Sequence, residues 1–381
     1  MQRDASGRWG TALWPVLAVC WASTSIIVSA RAHEPVPPPS STQPAATLAR
    51  DYRDPNYDYF VAGDPAAPRA AHSVAGLALM GGGGRVDSAF KFIATHAGGG
   101  HIVILRATQG DTFDGSAGDY GKAFVGEWGP VACAQTVVFR TREASFDPRV
   151  VAIVRGADGI FLAGGDQGNY IRYWKGTPIQ DALDAHVRQG RPIGGSSAGL
   201  AVLGRYSYTS LDGGSMESKV ALADPFDAGM TLESDFLHVA GLDRVITDTH
   251  FSARSRLGRL IAFVARLNER KKGRDIVGLG VDEKTALLIG ADGVGRLAPD
   301  SAGHAWLVRQ PASATLKPGE PLTIERVEVD RLDAVSSLDL KPMRVRAAGA
   351  AATIDIVGGR PAPTSPLQAI LLRERAPPGE S

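Results

Sequence analysis

Short apolar runs alternate with longer amphipathic segments through the middle of this chain, and that alternation predicts the fold class. Residues 73–80 (SVAGLALM) read as a strand ending in four glycines, 86–96 as a helix and 101–107 (HIVILRA) as a second strand. Further strands are predicted over 135–140, 159–163, 191–194, 244–247 and 275–281, with helices over 178–188 and 251–268 interleaved. Strands that alternate with helices imply an α/β fold with a mainly parallel central sheet covered on both faces. From about residue 298 the pattern gives way to short, proline-punctuated alternating runs such as 322–329, which predict a small β-rich C-terminal extension. No internal repeat is visible.

The N-terminal pattern is different. Arginines within residues 1–10 precede a largely apolar run, 11–30, which closes on Ala30-Arg31-Ala32. This is the layout of a secretory signal peptide cleaved after Ala32, so 1–32 is expected to be a leader and the destination periplasmic or extracellular. A retained membrane anchor is the alternative, because the run approaches the length of a bilayer span. Val19 before Cys20 does not suit a lipoprotein signal. Residues 33–68, rich in Pro, Ala and Ser and then aromatic (RDYRDPNYDYF), are expected to be a linker followed by an arm that docks on the body, with 69–310 the main domain and 311–381 the extension.

Composition narrows the function classes. Lys+Arg 41 against Asp+Glu 40 leaves a formal charge of +1, so no global field draws the chain to nucleic acid or to an anionic membrane. Charge recognition must be local. After leader removal one cysteine, Cys133, remains; it has apolar neighbours and is expected in the core.

In open α/β sheets ligands bind beyond the carboxyl ends of the strands, and three glycine clusters fall at such ends: 81–84, 164–165 and 194–199. None has the spacing of a P-loop or of a dinucleotide fingerprint. The last contains Gly195-Ser196-Ser197-Ala198-Gly199, a G-x-S-x-G match in which Ser197 would be a nucleophile on a strand-to-helix elbow, with glycines that permit the turn and leave room for substrate. In a chain with 45 glycines the pentapeptide alone is a weak signal, equally compatible with an ordinary glycine-rich connection. The Gly164-Gly165 pair in FLAGGDQGNY would expose backbone N–H groups of the kind that form an oxyanion hole.

A serine nucleophile needs a base. Of the eight histidines, His33, His72, His186 and His304 lie in unpromising contexts, His96 and His101 bracket a turn, and His238 stays open. His250 stands at a strand end in VITDTHFSARSRLGRL, followed by Arg254, Arg256 and Arg259. Arginines at such spacing form either a solvated cationic face or a carboxylate-binding cluster. Asp282 and Glu283, at a turn between two apolar strands, are the candidate orienting carboxylates; alternation allows only one of them to reach the histidine.

Taken together, Ser197, the GGDQ turn, DTHF-x2-R-x-R-x2-R and VDEKTALL resemble the cyanophycinases and their relative dipeptidase E, serine peptidases on a class I glutamine amidotransferase-like fold. The resemblance covers roughly residues 74–308 and implies a three-layer sandwich. It implies a triad in chain order Ser197, His250, Glu283, an oxyanion hole from the N–H groups of Gly165 and Ala198, and substrate contacts from Gln167, Asp248, Thr249, Arg254, Arg256 and Arg259. Thr249 departs from the glutamine usual in that family and bears on substrate identity. The implied activity is that of a secreted exopeptidase releasing β-Asp-Arg dipeptides from cyanophycin, multi-L-arginyl-poly-L-aspartate, through an acyl-enzyme. It needs no metal or cofactor. The expected partner is a peptide or polymer substrate, with neither nucleic acid nor, after leader cleavage, membrane; assembly as a homodimer stays open. The alternatives are a peptidase for other aspartyl or isoaspartyl peptides, an esterase, or a non-catalytic protein that binds acidic peptides.

Overall fold

Alternate side chains of a strand face opposite sides of its sheet, so a strand apolar at every position must be covered on both. The computed structural model, which describes residues 50–362 apart from 109–114, 212–213, 271–274, 311–313, 315 and 348, shows this in its central strands. Leu77, Leu79, Val103, Leu105, Ile160 and Leu162 enter one core with the helices Pro148–Arg155, Gln167–Trp174 and Pro178–Arg188. Ala78, Met80, Ile102, Ile104 and Phe161, the intervening residues, enter another with the helix Asp87–His96. The mixed α/β architecture expected from the pattern is therefore present. The leader 1–32 and the tail after 362 lie outside the described residues.

The first sheet has eleven strands. At its centre Cys133–Phe139, His101–Ala107, Gly159–Leu162, Ile193–Ser196 and Leu77–Met80 run parallel in that spatial order. Antiparallel strands flank this block. Tyr57–Gly63 pairs with Cys133–Phe139 on one side and buries Tyr57 and Tyr59, while Ala286–Ile289 pairs with Leu77–Met80 on the other. The sheet is thus parallel at the centre and mixed as a whole. Cys133 is buried within it, and burial pushes its thiol up to about 11.

A second, eight-stranded sheet is built around Val245–Asp248, which runs parallel to both Tyr206–Tyr208 and Val277–Val281. The helix Leu257–Arg270 covers one face of it, packing Leu260, Phe263 and Val264 with Ile246, Trp306 and Val308. Strands C-terminal to residue 322 divide between the sheets: Ile324–Leu332 and Ala350–Val357 join the second, Ser337–Asp339 and Arg344–Arg346 the first.

Of the predicted boundaries that move, two matter to the site. The helix expected from residue 251 begins at Leu257, because Phe251 and Ser252 donate their N–H groups to the Val281 carbonyl and to Asp282 Oδ1, and His250 and Ser255 adopt positive φ. The strand expected to end at 194 continues to Ser196, so the turn falls on Ser197 alone.

Candidate active site

Ser197 joins the strand Ile193–Ser196 to the helix Ala198–Ala201 with φ 52° and ψ −118°, a conformation that a non-glycine residue holds at a cost of about 1–3 kcal/mol. The flanking glycines have a different purpose from the one the sequence suggested. A Cβ on Gly195 would lie 2.5 Å from the Gly199 carbonyl carbon, and one on Gly199 would lie 2.0 Å from the Leu162 carbonyl oxygen. They let the elbow helix press on its own strand and on the neighbouring one, and the space they spare is filled by backbone. That packing holds the strained serine in place.

Ser197 Oγ lies 2.8 Å from His250 Nε2, and His250 Nδ1 lies 2.6 Å from Glu283 Oε1. With Nδ1–H donating to the carboxylate, Nε2 is left to accept from the serine hydroxyl. Asp282 faces the other way. Its carboxylate accepts from the N–H groups of Ser252 and His304, at 2.9 Å each, and from Trp306 Nε1 at 3.1 Å, so it ties the histidine loop to the next strand. Glu283 is the carboxylate that reaches the histidine.

The feature that sequence reasoning underused is the run Gly81 to Gly84. Three successive carbonyls at this strand end each receive one of the three segments: Met80 O from Ser197 N–H at 3.2 Å, Gly81 O from His250 N–H at 2.9 Å, and Gly82 O from Lys284 N–H, next to Glu283, at 2.7 Å. Side chains are excluded there. A Cβ on Gly82 would fall 2.8 Å from the His250 ring and 2.9 Å from Ser197 Cβ, and one on Gly83 2.6 Å from the Glu283 side chain. Four consecutive glycines at the end of an apolar strand were the signal available in the sequence.

Burial is the main force on His250, and with Arg254 and Arg256 it outweighs the opposing pull of Glu283; the imidazole is held below its ordinary value and is neutral at pH 7. A neutral imidazole hydrogen-bonded to a hydroxyl can accept its proton. The pair opens on a cleft of about 310 Å³ that all six residues assigned to substrate contact line: Gln167, Asp248, Thr249, Arg254, Arg256 and Arg259. Gly165 lines it too, and the Gly164-Gly165 turn passes beside Ser197, a Cβ on Gly164 falling 3.6 Å from Ser197 Cβ. Tyr170, not singled out in the sequence, donates its hydroxyl to the Ala163 carbonyl at 2.6 Å and so pins this turn from beneath. Ala198 occupies the first position of the elbow helix. Helix-start N–H groups lack intrahelical acceptors.

The six residues do not share one task. Asp248, one of the implied substrate contacts, is buried and already engaged: Arg259 Nε and Nη2 donate to its two oxygens at 2.8 and 2.5 Å, and Thr249 N–H adds a third bond at 2.8 Å. Burial alone would raise this carboxyl, but Arg259 and Arg256 outweigh it and hold it below the usual range. Arg259 is correspondingly committed to Asp248, Ser215 and the Met216 carbonyl. Arg256 is held by Thr249 through both its carbonyl, at 2.9 Å, and its hydroxyl, at 3.1 Å. Burial pushes the Arg256 guanidinium down to about 9, which leaves it a cation at pH 7. Arg254 is the exposed member of the three, 4.0 Å from Glu283 Oε1. His238, left open above, pairs with Asp184 at 2.8 Å and does not line the cleft. Among the described residues no group of three or more His, Cys, Asp or Glu side chains is placed to hold a metal ion.

A serine, a neutral histidine and a carboxylate in hydrogen-bonded series on an α/β scaffold define the site of a serine-hydrolase type. Residues 116–295, which contain all three, match the family model of peptidase family S51. The chain is similar to a cyanophycinase from Nostoc sp., 33% identical over 155 residues, which are 40% of this chain and 46% of the relative. It is similar also to one from Synechococcus elongatus, 34% identical over 140 residues, or 36% and 38% of the two chains. It thus spans about half the length of these curated relatives. Among solved structures, a peptidase from an acI-B1 Actinobacterium aligns at 17% identity with a TM-score of 0.41, over 74% of this chain and 98% of the other. The resemblance to cyanophycinase-like serine peptidases read from the motifs is met by the family match and these relatives.

Five outcomes are expected. Gly82→Ala should displace the histidine or the serine and slow acylation of Ser197 by a fluorophosphonate about 100-fold, the usual consequence of a misplacement near 1 Å. Glu283→Gln should slow the same acylation about 10³-fold or more. Asp282→Asn should instead lower the thermal midpoint and leave acylation per folded molecule within a few-fold; the opposite pattern would reverse the assignment of the two carboxylates. Because the base must be neutral, acylation should rise with pH about a midpoint below 6.5 and be flat above it. Arg254→Gln removes a nearby positive charge and should move that midpoint upward in a rate-against-pH titration.

Proposed function

We propose that this protein is a secreted serine exopeptidase of cyanophycinase type, built as a three-layer sandwich of the class I glutamine amidotransferase kind with a β-rich C-terminal extension. The single observation that carries the reading is the hydrogen-bonded series from Glu283 through His250 to Ser197, at 2.6 and 2.8 Å, opening on an arginine-lined cleft. Ser197 Oγ attacks the scissile carbonyl carbon while its proton passes to His250 Nε2. Glu283 holds the imidazole in the accepting tautomer and stabilises the imidazolium. The N–H groups of Gly165 and Ala198 receive the developing oxyanion. As the C–N bond breaks, His250 returns the proton to the leaving amine, and a water activated by the same histidine then hydrolyses the ester.

The cleft supports a substrate bearing both carboxylates and guanidinium groups. Arg254, exposed beside the triad, suits a carboxylate. Since Asp248 is engaged by Arg259, the guanidinium partner falls to Asp166, which is exposed and lines the same cleft. Cyanophycin presents both groups on each repeat, and β-Asp-Arg dipeptides are the proposed product. Other aspartyl or isoaspartyl peptides are the second reading, favoured because Thr249 stands where the resembling family has glutamine and its hydroxyl is engaged by Arg256. The leader pattern of residues 1–32 supports a location outside the cytoplasm, and the arginine-lined cleft supports a peptide polymer as partner.

Mass spectrometry of the soluble products after incubation with purified cyanophycin tests the proposal. Wild type should release β-Asp-Arg, and Ser197→Ala should release at least about 10⁴-fold less. Dipeptide released equally by both would remove the serine mechanism. Ser197 acylation by a fluorophosphonate without dipeptide release would leave the mechanism and replace the substrate.

A further inference from the structure

Ser215 belongs to none of the motifs that marked the site, yet it occupies a singular position in the cleft. Its Oγ accepts from Arg256 Nη2 at 3.1 Å and from Arg259 Nη1 at 2.9 Å. A serine hydroxyl has two acceptor positions and one donor hydrogen. Both acceptor positions are filled by guanidinium N–H groups, so the hydroxyl can act toward a third partner only as a donor. Among the described residues none accepts from it, while Ser215 is exposed and lines the cleft that contains Ser197 and Arg254. Two cations on the oxygen polarise its O–H bond and strengthen it as a donor.

Asp248, the described carboxylate that shares Arg259 with Ser215, is already used. Asp248 takes Arg259 on both oxygens together with Thr249 N–H. The chain is also anchored at the next residue: Met216 N–H donates to the Tyr208 hydroxyl at 3.0 Å, and the Met216 carbonyl accepts from Arg259 Nη1 at 3.1 Å. A fixed donor facing a cleft with Arg254 and Arg256 nearby is complementary to an anion.

We propose that Ser215 is a specificity-determining residue: its hydroxyl, oriented by Arg256 and Arg259, donates to a free carboxylate of the bound peptide, the arginine α-carboxylate in cyanophycin or an aspartyl side chain in another acidic peptide, and favours that carboxylate over its amide. The proposal rests on the peptidase reading for its context, since the carboxylate is taken to belong to the substrate of Ser197. It adds a determinant outside the histidine segment, on the stretch between the strand Tyr206–Tyr208 and the helix Ser218–Ala223.

The test is equilibrium binding of N-acetyl-aspartate and N-acetyl-asparagine to the full chain by calorimetry, in wild type, Ser215→Ala and Ser215→Thr, with thermal melts of each. Wild type should bind the acid more tightly than the amide. Ser215→Ala should weaken the acid about 10- to 100-fold, the range for one hydrogen bond to a charged group, and change the amide less than about twofold. Ser215→Thr, which keeps the hydroxyl, should restore acid binding to within about threefold. A wild type without preference for the acid, equal weakening of both ligands in Ser215→Ala, or a Ser215→Thr as weak as Ser215→Ala would each overturn the assignment. Fluorophosphonate labelling of wild-type Ser197, measured alongside, separates the two claims. Labelling without Ser215-dependent acid binding removes this inference and leaves the peptidase; Ser215-dependent acid binding without labelling does the reverse.

Discussion

Three consecutive carbonyl groups at one strand end determine where the chemistry can occur. Met80, Gly81 and Gly82 accept, in order, from the backbone of the serine elbow, the histidine loop and the residue after the glutamate. These segments come from distant parts of the chain and from both sheets, and side-chain contacts alone would position them only loosely. Backbone hydrogen bonds fix them because the acceptors are consecutive residues at the end of a central strand. The arrangement requires that nothing project from Gly82 or Gly83, whose positive φ values of 90° and 71° are adopted without the steric penalty other residues meet. Glycine is needed here for backbone conformation and for space together.

The electrostatics of the cleft follow from a second buried contact. Asp248 and Arg259 form a paired, doubly hydrogen-bonded unit in which both side chains are almost fully shielded from water. Such a pair contributes little net stability but is costly to break, because either partner alone would be an uncompensated buried charge. Around it Arg256, Thr249 and Ser215 are held in a connected network, and Arg254 lies exposed beside Glu283. The cluster therefore keeps a net positive field next to His250. That field and burial both disfavour the imidazolium, while Glu283 favours it, and the balance leaves the histidine neutral at pH 7.

Much of the scaffold was legible along the chain. The strands His101–Ala107 and Gly159–Leu162 and the helix Pro178–Arg188 coincide with the pattern to within a residue, because each is a local apolar period bounded by glycine or proline. The start of the helix after His250 was not legible. Residues 251–256 have helical composition, but Asp282 and Val281 take their N–H groups, and those acceptors lie some thirty residues onward. The two carboxylates at 282–283 were likewise ambiguous, since alternation says that they point apart but not which of them faces the histidine.

By itself the sequence determined the alternating α/β pattern, the elbow serine and the set of polar side chains near it, because these depend on neighbours within a few residues or on motif spacing. Tertiary structure decided how those side chains are used. It assigned Glu283 to the histidine and Asp282 to the loop, turned Asp248 and Arg259 toward each other, and brought Ser215 between two arginines. Each of those outcomes depends on which buried charge finds its partner first across the two sheets, and that pairing is set by packing and desolvation in three dimensions.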